Sequence, residues 1–78
     1  MIGETNKKFR IALGKRIRDI RRKQKLGLVT AQSAAGLSKN QISRIENADV
    51  NVTVGTLYSL SIALKVPITE FFNFKYED

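Results

Sequence analysis

The sequence predicts an all-α fold of five short helices joined by brief connections. Apolar residues recur at spacings of three or four along most of the chain, which is the period of one helix face. Gly27 and Gly36 interrupt this pattern, and the helix-capping residues Ser38 and Thr53 stand where it resumes. Apolar and polar residues alternate in the tail, residues 72–77, which allows a short C-terminal extended segment.

Each element follows from these signals. The predicted helices cover residues 6–25, 28–35, 38–47, 53–65 and 67–72. Their inward-facing apolar residues are Phe9, Leu13, Ile17, Ile20, Ile42, Ile45, Leu57, Leu60 and Leu64. Pro67 suits the first turn of the last helix, because its φ is already fixed near the helical value and it has no N–H to leave unpaired.

The composition excludes several classes of function. Seventy-eight residues, of which 42% are hydrophobic, predict a single domain over 1–78. The sequence has no cysteine and no histidine, which removes disulfides, thiolate metal ligands and the commonest general base. Aspartate and glutamate are scattered singly, so no nucleophile–base pair or metal cluster is recognisable. We therefore expect neither an enzyme nor a bound metal or other cofactor.

Positive charge is concentrated near the N-terminal end. The net charge is +7, and ten of the fourteen basic residues lie within 1–25 beside only two acids. DNA, an anionic membrane surface or solvent alone would each account for such a segment. No apolar run approaches the roughly 18 residues of a membrane span, and basic residues precede any apolar stretch, unlike in a signal peptide. A cytoplasmic protein without a membrane partner is expected.

The second and third predicted helices carry the main functional signal. A short turn containing Gly36 joins them, and Leu37 packs behind it, which is typical of a helix-turn-helix over residues 28–47. On the third helix Ile42, Ile45 and Glu46 share one side, and the opposite side is polar and free of acid. A generic helical hairpin or an ordinary polar surface would share part of this pattern.

The polar side of the third helix suits double-stranded DNA. Asparagine pairs bidentately with adenine, arginine or lysine with guanine, and serine with either. The N–H groups at the start of a helix favour phosphate. We therefore expect this helix in the major groove, presenting Lys39, Asn40, Gln41, Ser43, Arg44 and Asn47.

Glu46 needs a separate explanation, because its phase places a carboxylate beside the core. A buried carboxylate requires a partner. Arg21 has the equivalent edge-of-core phase on the first helix, relative to Ile17 and Ile20. The sequence therefore predicts an ion pair between Arg21 and Glu46 that joins the first helix to the third.

With these features the chain resembles the XRE family of helix-turn-helix proteins, which includes phage repressors and Cro-like regulators. The resemblance covers about residues 9–72 and implies a compact five-helix, lambda-repressor-like DNA-binding domain. It also implies a homodimer on a palindromic operator, with half-sites about one DNA turn apart, and an ion pair at the places of Arg21 and Glu46. It rests on residues 13–21, 36–38, 42–46, 56–57, 63–66 and 69–72.

The resemblance also assigns places on the DNA to individual residues. Those facing bases would be Lys39, Asn40 and Ser43. Those near phosphates or flanking bases would be Ser38, Gln41, Arg44 and Asn47. Because they stand closest to the helix pair, the basic residues expected to add phosphate contacts are Arg22, Lys23 and Lys25.

Some positions depart from the family pattern. Leu28 stands where a glutamine often contacts phosphate. Ala31 and Gln32 stand where leucine and then a close-packing alanine are usual, so Gln32 either splays the two helices or leaves along the surface. Ile62 occupies a usually polar place and forms an apolar row with Tyr58.

A second apolar row lies in the tail and consists of Phe72, Phe74 and Tyr76. Exposed apolar groups of this extent are seldom left bare. Either the tail folds back over Tyr58 and Ile62 within one subunit, or the two rows build a dimer interface.

Two functions remain open at this point. One is a sequence-specific transcriptional regulator, a repressor or autoregulator, that occupies an operator. The other is a protein-interaction module, or an antitoxin or controller subunit, that uses the same fold mainly to bind a partner protein. Loss of DNA binding on mutation of Asn40 and Ser43, with folding intact, would favour the first.

Overall fold

The helices are observed in a computed structural model of the chain, which describes residues 2–38 and 40–75, with the backbone alone for 2–5. The elements are α1 Ile2–Lys23, α2 Leu28–Ala34, α3 Gln41–Glu46, α4 Val54–Leu64 and a 3₁₀ helix Ile68–Phe72. The all-α fold class is confirmed, with a 3₁₀ helix in place of the predicted fifth α-helix. Two of the predicted interface residues, Lys39 and Tyr76, lie outside the described residues.

The predicted apolar stripes meet in one core. Phe9 is the exception, because it is only half-buried at the edge. Phe71 closes the core below the 3₁₀ helix and is fully buried. No helix of the described segments is long and apolar enough to cross a membrane. The buried apolar residues are Leu13, Ile17, Ile20, Ala31, Ile42, Ile45, Leu57, Leu60, Leu64 and Phe71.

The boundaries of α4 follow the sequence signals. Thr53 caps the helix as predicted, and its Oγ1 accepts a hydrogen bond from the Thr56 N–H at 3.1 Å. Lys65 ends the helix in the left-handed conformation, with φ of 57°. The N–H of Val66 then donates to the Ser61 carbonyl at 3.1 Å, which satisfies one of the last helical carbonyls.

The start of α3 differs from the prediction, because Asn40 and not Ser38 is the N-cap. Asn40 has φ of 68°, a left-handed conformation that asparagine tolerates better than most residues. Ser38 instead begins a turn, in which its N–H and hydroxyl both donate to Oε1 of Gln41, at 3.2 and 3.0 Å. This local pairing competes with a helix that begins at Ser38.

In α2 the two unusual residues are accommodated without splaying the helices. Ala31 is buried, and Gln32 is half-buried and lies along the surface. The alternative in which Gln32 leaves along the surface is the one observed. Therefore α2 packs against both α3 and α4.

The described part of the tail contains no strand, so the predicted extended segment is not observed there. Phe72 and Phe74 both pack against Phe9 of α1, with ring centroids 6.3 and 5.5 Å apart. Of the two alternatives for the tail, folding back over Tyr58 and Ile62 is therefore not observed for Phe72 and Phe74, and both α4 side chains are exposed. A strand needs a second strand to pair its backbone groups, and ring contacts with Phe9 are available instead.

Candidate nucleic-acid interface

The outward side of α3 is polar. Asn40, Arg44 and Asn47 are exposed, and Gln41 and Ser43 are half-buried. The helix packs into the protein through Ile42 and Ile45. Its one acidic residue, Glu46, is turned inward with them and is 6% exposed. Among the described residues 40–47, the outward side therefore carries no negative charge.

Glu46 is neutralised by a two-pronged ion pair with Arg21, as the helical phases predict. Nε of Arg21 donates to Oε2 at 2.7 Å, and Nη2 donates to Oε1 at 2.9 Å. The remaining Nη1 donates to the Leu26 carbonyl at 2.8 Å, so the guanidinium also holds the turn between α1 and α2. The hydrogen bond to Glu46 raises the pKa of Arg21 above its ordinary value despite burial. Arg21 is thus charged at every pH at which DNA binding would be measured.

A second arginine, Arg18, contacts the same end of α3. Its Nε lies 3.4 Å from Oε1 of Glu46, and its Nη2 donates to Oδ1 of Asn47 at 2.6 Å. Arg18 therefore positions the last residue of the predicted DNA-facing surface.

Contacts from α1 to the end of α3 recur about every fourth residue. Asn6 donates to Oδ1 of Asn51 at 3.3 Å, and Nη1 of Arg10 donates to the Ala48 carbonyl at 2.7 Å. A helix repeats in about 3.6 residues, so this spacing keeps one side of α1 against the end of α3 and the loop after it. We call these five residues the α1 clamp: Asn6, Arg10, Gly14, Arg18 and Arg21.

Gly14 allows the closest approach within the α1 clamp. A Cβ at this position would lie 2.6 Å from each of the carbonyl oxygens of Ile45 and Glu46. The backbones of α1 and α3 therefore meet where a side chain has no room. Sequence reasoning found only Arg21 of the clamp, although a glycine inside an amphipathic helix was a visible signal.

The basic residues of α1 and of the turn after it divide into two groups. Arg10, Arg18 and Arg21 hold α3, and Arg16 pairs with Glu70 at 3.1 Å, so these four stabilise the fold. The exposed group has no hydrogen bond or ion pair within the side chains described for 6–38 and 40–75. It consists of Lys7, Lys8, Lys15, Arg22, Lys23 and Lys25. Of these, Arg22 and Lys23 at the end of α1 and Lys25 in the turn before α2 remain predicted phosphate contacts.

The start of α2 lacks a polar side chain where the family often has one. Gly27 is the N-cap and provides no side-chain hydrogen bond. Leu28 and Val29 follow it, and both are exposed. At Gly27, Leu28 and Val29 only the backbone N–H groups are left to meet a phosphate.

A groove of about 290 Å³ lies beside α3, between its outward side and the start of α4. Arg44 is the charged residue among those that line it, and no acid lines it. Ser38 and Gln41 stand on the α3 side, and Thr53 and Thr56 on the α4 side. Hydroxyl, amide and guanidinium groups of this kind suit a phosphate or a base edge.

Ala48, directly after α3, should be a site where glycine is better than alanine. Its φ of 61° is left-handed, which costs a residue with a Cβ about 1–2 kcal/mol. We expect Ala48→Gly to raise the free energy of unfolding by about 0.5–1 kcal/mol after the greater chain freedom of glycine is subtracted. Urea unfolding measures this change in free energy. The matched control is Ala12→Gly on α1, whose free energy of unfolding should fall by about 1 kcal/mol. Equal losses in both variants would contradict the left-handed conformation at position 48.

Comparisons with known proteins agree with this geometry. A sequence model of the family described as Helix-turn-helix matches residues 17–71, more than half of the chain. The restriction-modification controller protein C.AhdI from Aeromonas hydrophila is 26% identical, with a TM-score of 0.78 over 80% of this chain and 94% of that one. The clp gene regulator ClgR from C. glutamicum is 25% identical, with a TM-score of 0.78 over 82% of this chain and 83% of that one. No curated protein matches the chain in sequence.

Both similar structures are, by their names, regulators, and both share the arrangement of helices described above. The resemblance inferred from the residues is confirmed by the family match, which includes α2, α3 and the Arg21–Glu46 pair. The chain belongs to the XRE family of helix-turn-helix DNA-binding regulators.

Proposed function

We propose that the chain is a sequence-specific transcriptional regulator whose α3 lies in the major groove of an operator. The observation that carries this proposal is the inward position of Glu46, the one carboxylate of α3. A carboxylate on the outward side would repel DNA phosphates, and the α1 clamp removes it from that side. The side that remains presents Asn40 and Ser43 to the bases, with Lys39 beside them in the sequence.

Phosphate contacts supply affinity in this proposal. Gln41, Arg44 and Asn47 lie on the outward side of α3 and at its end, Arg22 and Lys23 lie at the end of α1, and Lys25 lies in the turn that follows. Contacts of this kind release counterions, so binding should weaken steeply with added salt. They fix the position of α3 on the duplex but carry no sequence information.

Two copies of the chain are needed to recognise a specific DNA site. One short helix reads only a few base pairs, and each mismatched pair changes binding by about 1–3 kcal/mol. We propose a dimer on a palindromic operator, with half-sites about 34 Å apart along the duplex. Occupancy of such a site blocks or recruits polymerase, and repression by occupancy is the simpler outcome.

A partner protein is the alternative occupant of the helix pair. The exposed Leu28 and Val29 at the start of α2 favour it, because a helix start that faces phosphates is normally polar. By their names C.AhdI is a restriction-modification controller and ClgR is a clp gene regulator, so one fold serves different regulatory roles. The target of this chain therefore depends on its α3 residues and not on the fold.

Removing two uncharged side chains from α3 should abolish specific binding and leave non-specific binding intact. Asn40 requires glycine as the replacement, because its left-handed φ of 68° would strain an alanine. Each of the two truncations should reduce affinity for the specific duplex about tenfold to a hundredfold, because a hydrogen bond to a base edge is removed. Fluorescence anisotropy measures the affinity of the double variant, Asn40→Gly with Ser43→Ala, for two duplexes. One is a duplex that the original protein has enriched from a randomised pool, and the other is a scrambled version of it.

The matched control is Thr69→Ala, an exposed uncharged residue of the 3₁₀ helix. It should bind both duplexes like the original protein. The salt dependence on the scrambled duplex should be the same in all three proteins, because no charge has changed. Full specific binding by the double variant, with normal circular dichroism, would contradict the assignment of Asn40 and Ser43 to the bases.

A further inference from the structure

We propose that Lys7, near the start of α1, binds a DNA phosphate outside the helix-turn-helix. This inference rests on the proposed function for the position of the duplex, which lies against the outward side of α3. Lys7 is at the opposite end of α1 from Arg22, about 22 Å away along the helix axis. The family match begins at residue 17, so Lys7 lies outside the matched segment.

The first half of α1 is fixed against the loop that follows α3. Asn6 donates to Oδ1 of Asn51 at 3.3 Å, and Nη1 of Arg10 donates to the Ala48 carbonyl at 2.7 Å. Lys7 stands between these two residues of the α1 clamp in the sequence. Its backbone is therefore held at a set distance from this loop, and its side chain does not have to order a flexible segment in order to bind.

The loop also forms one wall of the groove beside α3. Asn51 and Arg44 both line this groove, and no acid is among its lining residues. Because Asn6 contacts Asn51, the first half of α1 borders the end of the groove. A DNA strand that follows the groove past Arg44 would reach α1 at Asn6, where Lys7 is the adjoining cation. Each strand carries a phosphate about every 3.4 Å of duplex length, so phosphates are present along the whole route.

Helical phase places Lys7 on the edge of α1 that borders the outward side of α3. Arg18 defines this edge, because its Nη2 donates to the exposed Asn47. Lys7 precedes Arg18 by eleven residues (18 − 7), which at about 100° per residue come within about 20° of three full turns. It therefore lies on the same edge, about 16 Å along the axis. Arg18 is engaged in holding α3, whereas the side chain of Lys7 is exposed.

Lys8 provides a comparison within the chain. It is also an exposed lysine, but it lies about 100° further round α1, on the side away from Asn6 and Arg10. The two lysines are closer together than the Debye length of about 8–10 Å, so long-range attraction to DNA acts almost equally on both. A direct phosphate contact on this edge would involve Lys7 alone. The two positions therefore distinguish a contact from general attraction.

The salt dependence of DNA binding gives the expected size of the effect. A lysine that neutralises one phosphate contributes about 0.9 to the slope of log affinity against log salt concentration. In Lys7→Gln this slope should become shallower by about 0.9 for each bound chain. At about 0.1 M salt the affinity should fall roughly fivefold to tenfold for each bound chain. In Lys8→Gln the slope should stay close to that of the original protein.

Fluorescence anisotropy across a salt series from about 0.05 to 0.3 M, on the enriched duplex, measures these slopes. Glutamine has nearly the helix propensity of lysine, and circular dichroism melting verifies that both variants are folded. Lys7→Arg should keep the slope of the original protein, because the charge remains on the same edge. Equal slopes for Lys7→Gln and Lys8→Gln would overturn the proposal.

Replacing single phosphates of the duplex by uncharged methylphosphonates locates the contact. At one position or a few adjacent ones, the replacement should weaken binding of the original protein and of Lys8→Gln. The same replacement should have little further effect on Lys7→Gln, because the contact is already missing. A scan in which all three proteins respond alike at every position would contradict a contact from Lys7.

The outcome for Lys7 is separable from the outcome for the proposed function. Phosphate contacts carry no sequence information, so the lysine variants can be compared on a scrambled duplex as well. If no consensus is enriched but Lys7→Gln alone has a shallower slope, sequence reading fails and the Lys7 contact stands. If a consensus is enriched and the two glutamine variants have equal slopes, the Lys7 contact fails and the function stands.

Discussion

Replacing Arg21 by alanine should lower the free energy of unfolding by about 3–5 kcal/mol, because it leaves the Glu46 carboxylate buried without its main partner. Two hydrogen bonds, at 2.7 and 2.9 Å, are removed from a group that is 6% exposed. The Leu26 carbonyl loses its donor as well. Arg18 remains 3.4 Å from the carboxylate and should keep the loss near the lower end of the range.

Urea unfolding measures this effect, and Arg22→Ala is the matched control. Arg22 is the next residue of α1 but is exposed, so its removal should change stability by less than about 0.5 kcal/mol. Replacing both partners by methionine should restore most of the stability, because no buried charge is then left unpaired. An unchanged unfolding midpoint in Arg21→Ala would show that the pair does not hold α1 to α3.

Replacing Gly14 by alanine should destabilise the protein by about 1–3 kcal/mol, although alanine is the better helix former. The added Cβ would lie 2.6 Å from two backbone carbonyl oxygens of α3, and backbone cannot move aside as a flexible side chain can. Either α1 or the end of α3 must shift. The same substitution should therefore weaken specific DNA binding in the fraction that remains folded.

Gly55→Ala provides the matched control within α4. A Cβ there meets only Oγ1 of Thr53, at 3.9 Å, which is an ordinary contact. The higher helix propensity of alanine should then dominate, and the free energy of unfolding should rise by about 0.5–1 kcal/mol. Thermal melts of the two variants side by side separate the effects. A gain in both would mean that α1 and α3 do not approach closely at Gly14.

The parts of the fold that follow from the sequence depend on local periodicity. The apolar stripes of α1 and α4 and the cap at Thr53 are set by a 3.6-residue repeat and by capping chemistry, both visible in a short window. The Arg21–Glu46 pair follows from the same repeat, because two residues at the edge of one core on neighbouring helices have few other partners.

The parts that do not follow depend on how distant segments meet. Arg10 and Arg18 looked like surface cations, and only the crossing of α1 over α3 shows that they hold carbonyl and amide groups there. Gly14 carried a signal, since glycine costs about 1 kcal/mol in a helix interior and so indicates close packing. The alternation around Phe74 predicted a strand, but Phe9 provides an aromatic partner that a period of two cannot reveal.

Selection of duplexes from a randomised pool by the purified protein tests most directly the claim that α3 reads DNA sequence. We expect an enriched consensus with dyad symmetry, its half-sites about 10 base pairs apart, because two copies would present α3 to successive turns of one face of the duplex. Binding to the enriched duplex should exceed binding to a scrambled one by about a thousandfold or more. Recovery of no consensus, with affinity that depends on salt alone, would contradict the claim.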